Sequence, residues 1–124
     1  MAYDVPVLDI SKPTLTDLAA NQFYLVEDDG AGNAKLVAAA AALGILGVLQ
    51  NDPATGQAAV VRAEGVSKCV AGGVVAPGNM IVSNASGQGV AYGGTGGGVI
   101  GIALDGAAAA GEVFSLLVAH IGTP

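Results

Sequence analysis

Residues 69–104 contain no charged side chain, yet glycine, proline, asparagine or serine interrupts the run every few positions. An uncharged stretch of this length either enters a membrane or is buried as short elements joined by tight turns. A spanning helix needs about 20 consecutive, mainly apolar residues. Here Pro77, Asn79, Asn84, Gln88 and the glycines of 93–98 break every such window. The segment "LVAAAAALGILGVLQ" (36–50) is too short and too rich in Ala and Gly to replace it. A transmembrane β-barrel carries girdles of aromatic residues, and aromatics make up only 4% of this chain. The N-terminal "MAYDVPVLDISKP" has acidic residues and no basic n-region, unlike a signal peptide. The sequence therefore predicts short buried strands separated by turns, and no membrane partner.

Charge decides what surrounds those strands. Charged residues are 11% of the chain, against about 25% in ordinary globular domains. A single domain of 124 residues buries a real core, but this one has too little charge to coat its surface. With 24 Ala and 20 Gly, the apolar excess is small in volume. It predicts surface covered by neighbours, copies of the chain foremost. Net charge is −6, and the four basic residues, Lys12, Lys35, Arg62 and Lys68, are scattered. Binding a phosphate backbone takes clustered Lys and Arg, so no nucleic-acid partner is expected. The one cysteine excludes an internal disulfide framework and fits folding in a reducing cytoplasm.

Strand signals recur at the 8–12-residue spacing of a small all-β domain. "NQFYLVEDDGAGNAKLVA" (21–38) reads as a hairpin, its "DDGAGN" supplying the positive-φ positions of the turn. "LGILGVLQ" (43–50) is a buried strand stopped by "NDPATG", in which Pro53 fixes φ and Gly56 frees it. "QAAVVRAEGVSKCV" (57–70) extends, with Arg62 and Glu64 on one pleat face and Val61 and Ala63 on the other. "VVAPGNMIVS" reads as strand, turn and strand; "NASGQG" turns again before "VAY". "VIGIALDG" and "EVFSLLVAHIG" complete the set, and the last, apolar on both faces, predicts a central strand. The Ala runs at 38–42 and 107–110 have helix propensity, but their flanking glycines favour connections. Residues 1–20 read as an extended arm and 21–124 as the β domain. Val5, Val7, Leu8 and Ile10 give the arm apolar character, while Pro6 and Pro13 disfavour an internal ladder. The arm is expected to be poorly ordered alone, to gain order against a partner, and to contact it through these four residues.

Sites of chemistry are weakly supported. "GGGVIG" (96–101) satisfies G-x-G-x-x-G, but it leads into a β-rich segment and lacks the helix N-terminus that would hold a pyrophosphate. Glu27, Asp28 and Asp29 do not have calcium-loop spacing and read as a solvated hairpin tip. One His and one Cys, His120 and Cys69, fall short of a structural zinc set. As a nucleophile–base pair they lack an orienting third group. Asn84-Ala85-Ser86 forms a glycosylation sequon that reads as a turn. No catalytic, metal or cofactor-binding residue is assigned, and no cofactor is expected. The alternative is a small carrier or ligand-binding β module. Carrier domains display a lysine at a hairpin tip, and the nearby lysine here, Lys68, falls inside a strand.

The ordered series of turns and strands resembles a known family. Its elements are Gly47-Val48-Leu49-Gln50-Asn51 with Pro53 and Gly56, then Gly65, Lys68 and Ala71-Gly72-Gly73. Gly78, Gly87, the Gly101–Leu104 strand and Gly111-Glu112 follow. Together, over about residues 22–120, they resemble the small decoration, or cement, proteins of tailed-bacteriophage heads. The resemblance implies a β-clip or β-tulip-like barrel or sandwich, and a non-enzymatic homotrimer. It implies a position on the outer surface of an assembled capsid, at three-fold and quasi-three-fold sites. The partner would be the major capsid protein, and the role stabilisation of the head.

Overall fold

A computed structural model of the chain describes residues 2–94 and 97–123. Those residues form nine strands and no helix: β1 (Val5–Pro13), β2 (Leu25–Asp28), β3 (Ala34–Leu36), β4 (Ile45–Leu49), β5 (Ala58–Val70), β6 (Met80–Ser83), β7 (Gly89–Ala91), β8 (Val99–Ala103) and β9 (Val113–Gly122). They join one antiparallel sheet in the order β3-β2-β4-β5-β9-β8-β6-β7, with β1 added along β5. The sheet curls into a half-barrel, so the fold is all-β as the turn spacing requires. β9 lies between β5 and β8, the central position its apolar faces predict.

Local chemistry accounts for the turns. At the β2–β3 tip, Asp28 Oδ1 accepts the N–H groups of Gly30 (2.7 Å) and Gly32 (3.2 Å). Asp29 Oδ1 accepts those of Ala31 and Asn33. Gly30 and Gly32 both sit at φ +91°, a conformation that costs glycine little. Across the ladder Glu27 faces Lys35 and the two pair at 3.4 Å. Asn84 builds the β6–β7 turn in the same way, its Oδ1 accepting from Ser86 and Gln88; the sequon is a turn.

Two apolar clusters hold the sheet. Phe114, Leu116 and Val118 of β9 pack with Cys69, Ile81, Ile100 and Ala103 against Leu25, Val37, Ile45 and Val48. Neighbouring residues on β2 and β4 point the other way. Val26 and Leu49 join Leu18, Ala34, Ala59 and Val61 in a second cluster, with Ile10 packed against it. Both faces of β2 and β4 are thus buried, and the cover on the second face is the N-terminal region itself. Leu18, whose N–H binds Pro53 O at 2.9 Å, is 2% exposed; burying such a side chain contributes about 2 kcal/mol.

Two expectations change here. The prolines do not keep the N-terminal stretch out of a ladder: β1 pairs with β5 from Val5↔Val66 to Pro13↔Ala58. Proline is admissible because β1 is an edge strand, where a missing donor can face away from the pairing. Its register slips between Pro6 and Asp9, leaving Val7 unpaired in the ladder. The stretch is extended, but it belongs to the sheet of the lone chain. The first half of "VVAPGNMIVS" forms only a single bridge, Val75↔Ala107, before the turn into β6. The Ala runs are connections, as their glycines suggest.

Candidate functional site

The sequence elements with most to say about function meet on β1. Val5, Val7 and Leu8 are 49%, 69% and 47% exposed. Ile10 is half-buried against the second cluster, so it anchors the strand from beneath. Bonds from every side hold β1 in place. Arg62, on β5 and only 7% exposed, donates Nε to Asp9 Oδ1 (2.9 Å) and Nη2 to Asp9 Oδ2 (3.1 Å). Its Nη1 donates to Val66 O at 3.1 Å and lies 3.4 Å from Asp4 Oδ1. Asp9 holds the guanidinium pKa above its ordinary value by hydrogen bonding and charge. Asp4 Oδ1 also accepts the Lys68 N–H at 3.0 Å. The Tyr3 N–H reaches Ser115 Oγ at 2.8 Å, and Lys12 pairs with Asp28 at 3.1 Å.

Gly65 makes the close approach possible. It adopts φ +113°, and a Cβ there would meet the Val5 carbonyl oxygen and, at 2.8 Å, the Val7 nitrogen. Sequence reasoning placed Arg62 on a pleat face without a role. Its signal was the chain's one arginine, placed in a strand, with Asp4 and Asp9 among the acids of the N-terminal stretch.

The other candidate residues do not converge. Cys69 is fully buried, its thiol pushed up to about 12 by desolvation, which suits packing rather than nucleophilic attack. Cys69 pairs with Phe114, and His120 lies six residues further along the chain, roughly 20 Å away at strand rise. His120 is exposed at φ +46°, its Nε2 2.7 Å from Ala63 O. They form no nucleophile–base pair. Glu27, Asp28 and Asp29 point their acidity at local partners. Asp28 is held below its ordinary pKa by Lys12, then by the Gly30 and Gly32 N–H groups. Asp29 is lowered by the Ala31 N–H and then by Asn33. No group of three or more potential metal ligands occurs among the described residues. Lys68 sits within β5, with Nζ 5.6 Å above the Phe23 ring, not at the hairpin tip a carrier lysine needs.

The glycine-rich 92–98 segment, whose side-chain-free backbone suggests a mobile loop, is packed at one end. Thr95 and Gly96 lie outside the described residues, but the end of the loop is packed. Gly97, at φ +93°, abuts the Ala41 side chain, and Gly98 abuts the Ala42 carbonyl. The Gly98 N–H donates to Ala41 O at 3.1 Å. Gly97 and Gly98 are therefore a joint, not a freely mobile tip. Beside them a notch of about 90 Å³ opens between Ala42–Ile45 and Val99–Ile100, with His120 on its wall. Drug-sized ligands occupy roughly 300–1,000 Å³, and the G-x-G-x-x-G segment runs straight into β8 with no helix to receive a phosphate. No described helix is long and apolar enough to cross a membrane.

What the geometry offers is a firmly held edge strand that leaves the apolar side chains of Val5, Val7 and Leu8 exposed. Known proteins agree with a structural role. The fold is similar to the head fiber gp8.5 N base of bacteriophage phi29, with a TM-score of 0.68 and 16% identity over 94% of this chain and 97% of that one. No curated protein matches the sequence. The phage cement protein family model matches residues 3–119, nearly the whole chain including β1. The chain belongs to the phage cement proteins, capsid-associated structural components of the virion.

Proposed function

We propose that the chain is a non-enzymatic cement protein that binds the outer surface of an assembled phage capsid and stabilises the head. In this reading it acts as a homotrimer at three-fold and quasi-three-fold positions, and its partner is the major capsid protein. The observation that carries the proposal is the contrast within β1. The strand is bonded at Asp9 and Lys12, and the residues just before it at Tyr3 and Asp4, yet it turns Val5, Val7 and Leu8 to solvent. A rigid apolar display loses little conformational entropy on docking. Val5, Val7 and Leu8 are then the shell contacts, and Ile10 fixes their platform. Net charge of −6 suits the outside of a DNA-filled particle better than its lumen, where phosphate would repel it. Repetition around the shell multiplies a modest contact into tight decoration.

The test uses purified heads and the full-length chain. Cryo-electron microscopy of mixed particles is expected to show density at the three-fold positions. The Val7→Asp/Leu8→Asp double variant is expected to keep the wild-type melting temperature while its apparent affinity for heads falls at least about tenfold, or 1.4 kcal/mol. Undiminished decoration by that variant would remove β1 from the contact. Deleting residues 2–14 is the wrong experiment, because it strips β1 from β5 and leaves Arg62 without Asp9.

A further inference from the structure

Two irregularities of the sheet meet at His120. Along β1 and β5 the pairing passes from Pro6↔Gly65 to Leu8↔Glu64 and then to Asp9↔Arg62, so Val7 and Ala63 are both skipped. Between β8 and β9 it passes from Gly101↔Val118 to Val99↔Gly122, setting Ala119, His120 and Ile121 against Ile100 alone. Bulges re-aim side chains. His120, at φ +46°, reaches β5 and donates Nε2–H at 2.7 Å to the carbonyl of Ala63, the residue that β1 skips. Left-handed backbone is costly for a residue with a side chain and persists where the surroundings enforce it. Among the described residues the non-glycine cases are Phe23, Ala41 and His120. Two of these three border the notch of about 90 Å³: His120 lines it with Ala42, Leu43, Ile45 and Val99, and Ala41 directly precedes Ala42. Leu43 stands 77% exposed on the lip, and Ile121, next to His120, is 43% exposed. On the other side of His120, Leu8 opposes Glu64, the neighbour of Ala63. Exposed apolar side chains of β1, of the β3–β4 connection and of β9 thus converge around His120.

We infer that the notch is a socket within the shell contact: it receives one aliphatic side chain of the shell protein, and a basic residue beside that side chain meets Glu64. The inference rests on the shell-contact reading proposed above and extends it beyond β1. Volume limits the occupant, because about 90 Å³ is far below the roughly 300–1,000 Å³ of a drug-sized ligand and is of the order of a single side chain. Residues 36–50, 93–104 and 113–124, which form its walls, contain no acid or base apart from His120. The charge on the rim is Glu64, exposed and without an ion pair among the described residues. A second copy of the chain has no basic group to spare for it. Lys12 already pairs with Asp28, Lys35 with Glu27 and Arg62 with Asp9, and Lys68 lies over Phe23. The basic group must come from a different protein, and the capsid association of the family supplies one. The notch also adjoins Leu8, so one docked surface reaches both.

Decoration of purified heads by the full-length chain tests this with Leu43→Ser, Glu64→Gln and, as a control, Val74→Ser. Val74 is exposed and lies outside the notch. Leu43→Ser is expected to keep the wild-type melting temperature and to lower apparent affinity about tenfold. Glu64→Gln is expected to lower it about threefold and to make it less sensitive to salt, as loss of a rim charge does. Val74→Ser is expected to bind as wild type does. Should Leu43→Ser shift the melt, the salt response of Glu64→Gln decides the matter alone. Unchanged binding by Leu43→Ser, while Val7→Asp/Leu8→Asp loses it, overturns the socket and leaves the β1 contact standing. Binding unaffected in every variant overturns both. Unchanged salt sensitivity in Glu64→Gln overturns the basic partner and with it the choice of occupant. If Leu43→Ser changes the sedimenting species but not head binding, the notch serves contacts between copies, and the inference is again overturned.

Discussion

Arg62 grips Asp9 at two points, Nε to Oδ1 at 2.9 Å and Nη2 to Oδ2 at 3.1 Å, joining residues 53 apart in sequence. The guanidinium is nearly buried and the carboxylate about one-third exposed, so the two partners are not equivalent. Removing Asp9 leaves a buried cation with Asp4 at 3.4 Å and one carbonyl. Removing Arg62 leaves carboxylates that water can reach. Asp9→Ala is therefore expected to destabilise by about 2–3 kcal/mol, and Arg62→Met by about 1 kcal/mol. Chemical denaturation of both variants checks the order. Equal losses, or a larger loss for Arg62→Met, would mean the pair does not hold β1 through a buried charge.

The same pair shows where sequence reasoning stops. Turn chemistry is local, so Asp28, Asp29, Gly30 and Gly32 announced their hairpin, and the doubly apolar "VFSLLV" announced a central strand. The pairing of β1 depends on contacts between residues about 50 positions apart and on Gly65 admitting the Val5 carbonyl. Pro6 and Pro13 argued against a ladder because nothing local shows that the strand lies at an edge. For the same reason strand alternation puts Leu25 and Val26 on opposite faces but cannot reveal that both faces are covered. The apolar character of Val5, Val7, Leu8 and Ile10 was legible, whereas their place along β5 needed the register of the sheet.

Gly101 lies where two strands nearly touch. A Cβ there would collide with the Leu117 carbonyl, whereas one at Gly73 meets nothing within 4 Å. Neither residue has the positive φ that would itself exclude alanine. Gly101→Ala is expected to cost about 3 kcal/mol, since backbone cannot move aside as a side chain can. Gly73→Ala is expected to stay within about 0.5 kcal/mol of wild type. Thermal melts compare the two; a Gly101→Ala protein as stable as wild type would show that β8 and β9 can separate at little cost.

Cys69 links stability to alkaline pH. Its folded pKa, about 12, is raised above the unfolded value near 8.5. The folded state therefore keeps a proton that the unfolded chain releases. Stability from this group is full below about pH 8.5 and declines as pH rises toward 12, by up to about 1.4 kcal/mol per unit. Cys69→Ala is expected to flatten that decline. At pH 8 the native thiol is expected to resist a disulfide reagent that labels the denatured chain completely. Rapid native labelling would contradict the burial.

Gly97 separates a packed joint from a loose loop. Its φ of +93° and its contact with Ala41 both oppose a side chain, whereas Gly93, in the same glycine-rich segment, has open space and no positive φ. Forcing an L-residue into the left-handed region costs roughly 1–2 kcal/mol, and the crowding at Ala41 adds to it. Gly97→Ser is expected to lower stability by about 2 kcal/mol, and Gly93→Ser to leave it unchanged. The Ala41–Gly98 hydrogen bond carries the consequence further, because it ties this joint to the start of β8. Amide exchange at Gly98 is thus expected to quicken in Gly97→Ser and not in Gly93→Ser. If both serine variants melt with wild type and protect Gly98 equally, the segment yields locally and the contact with Ala41 has no structural role.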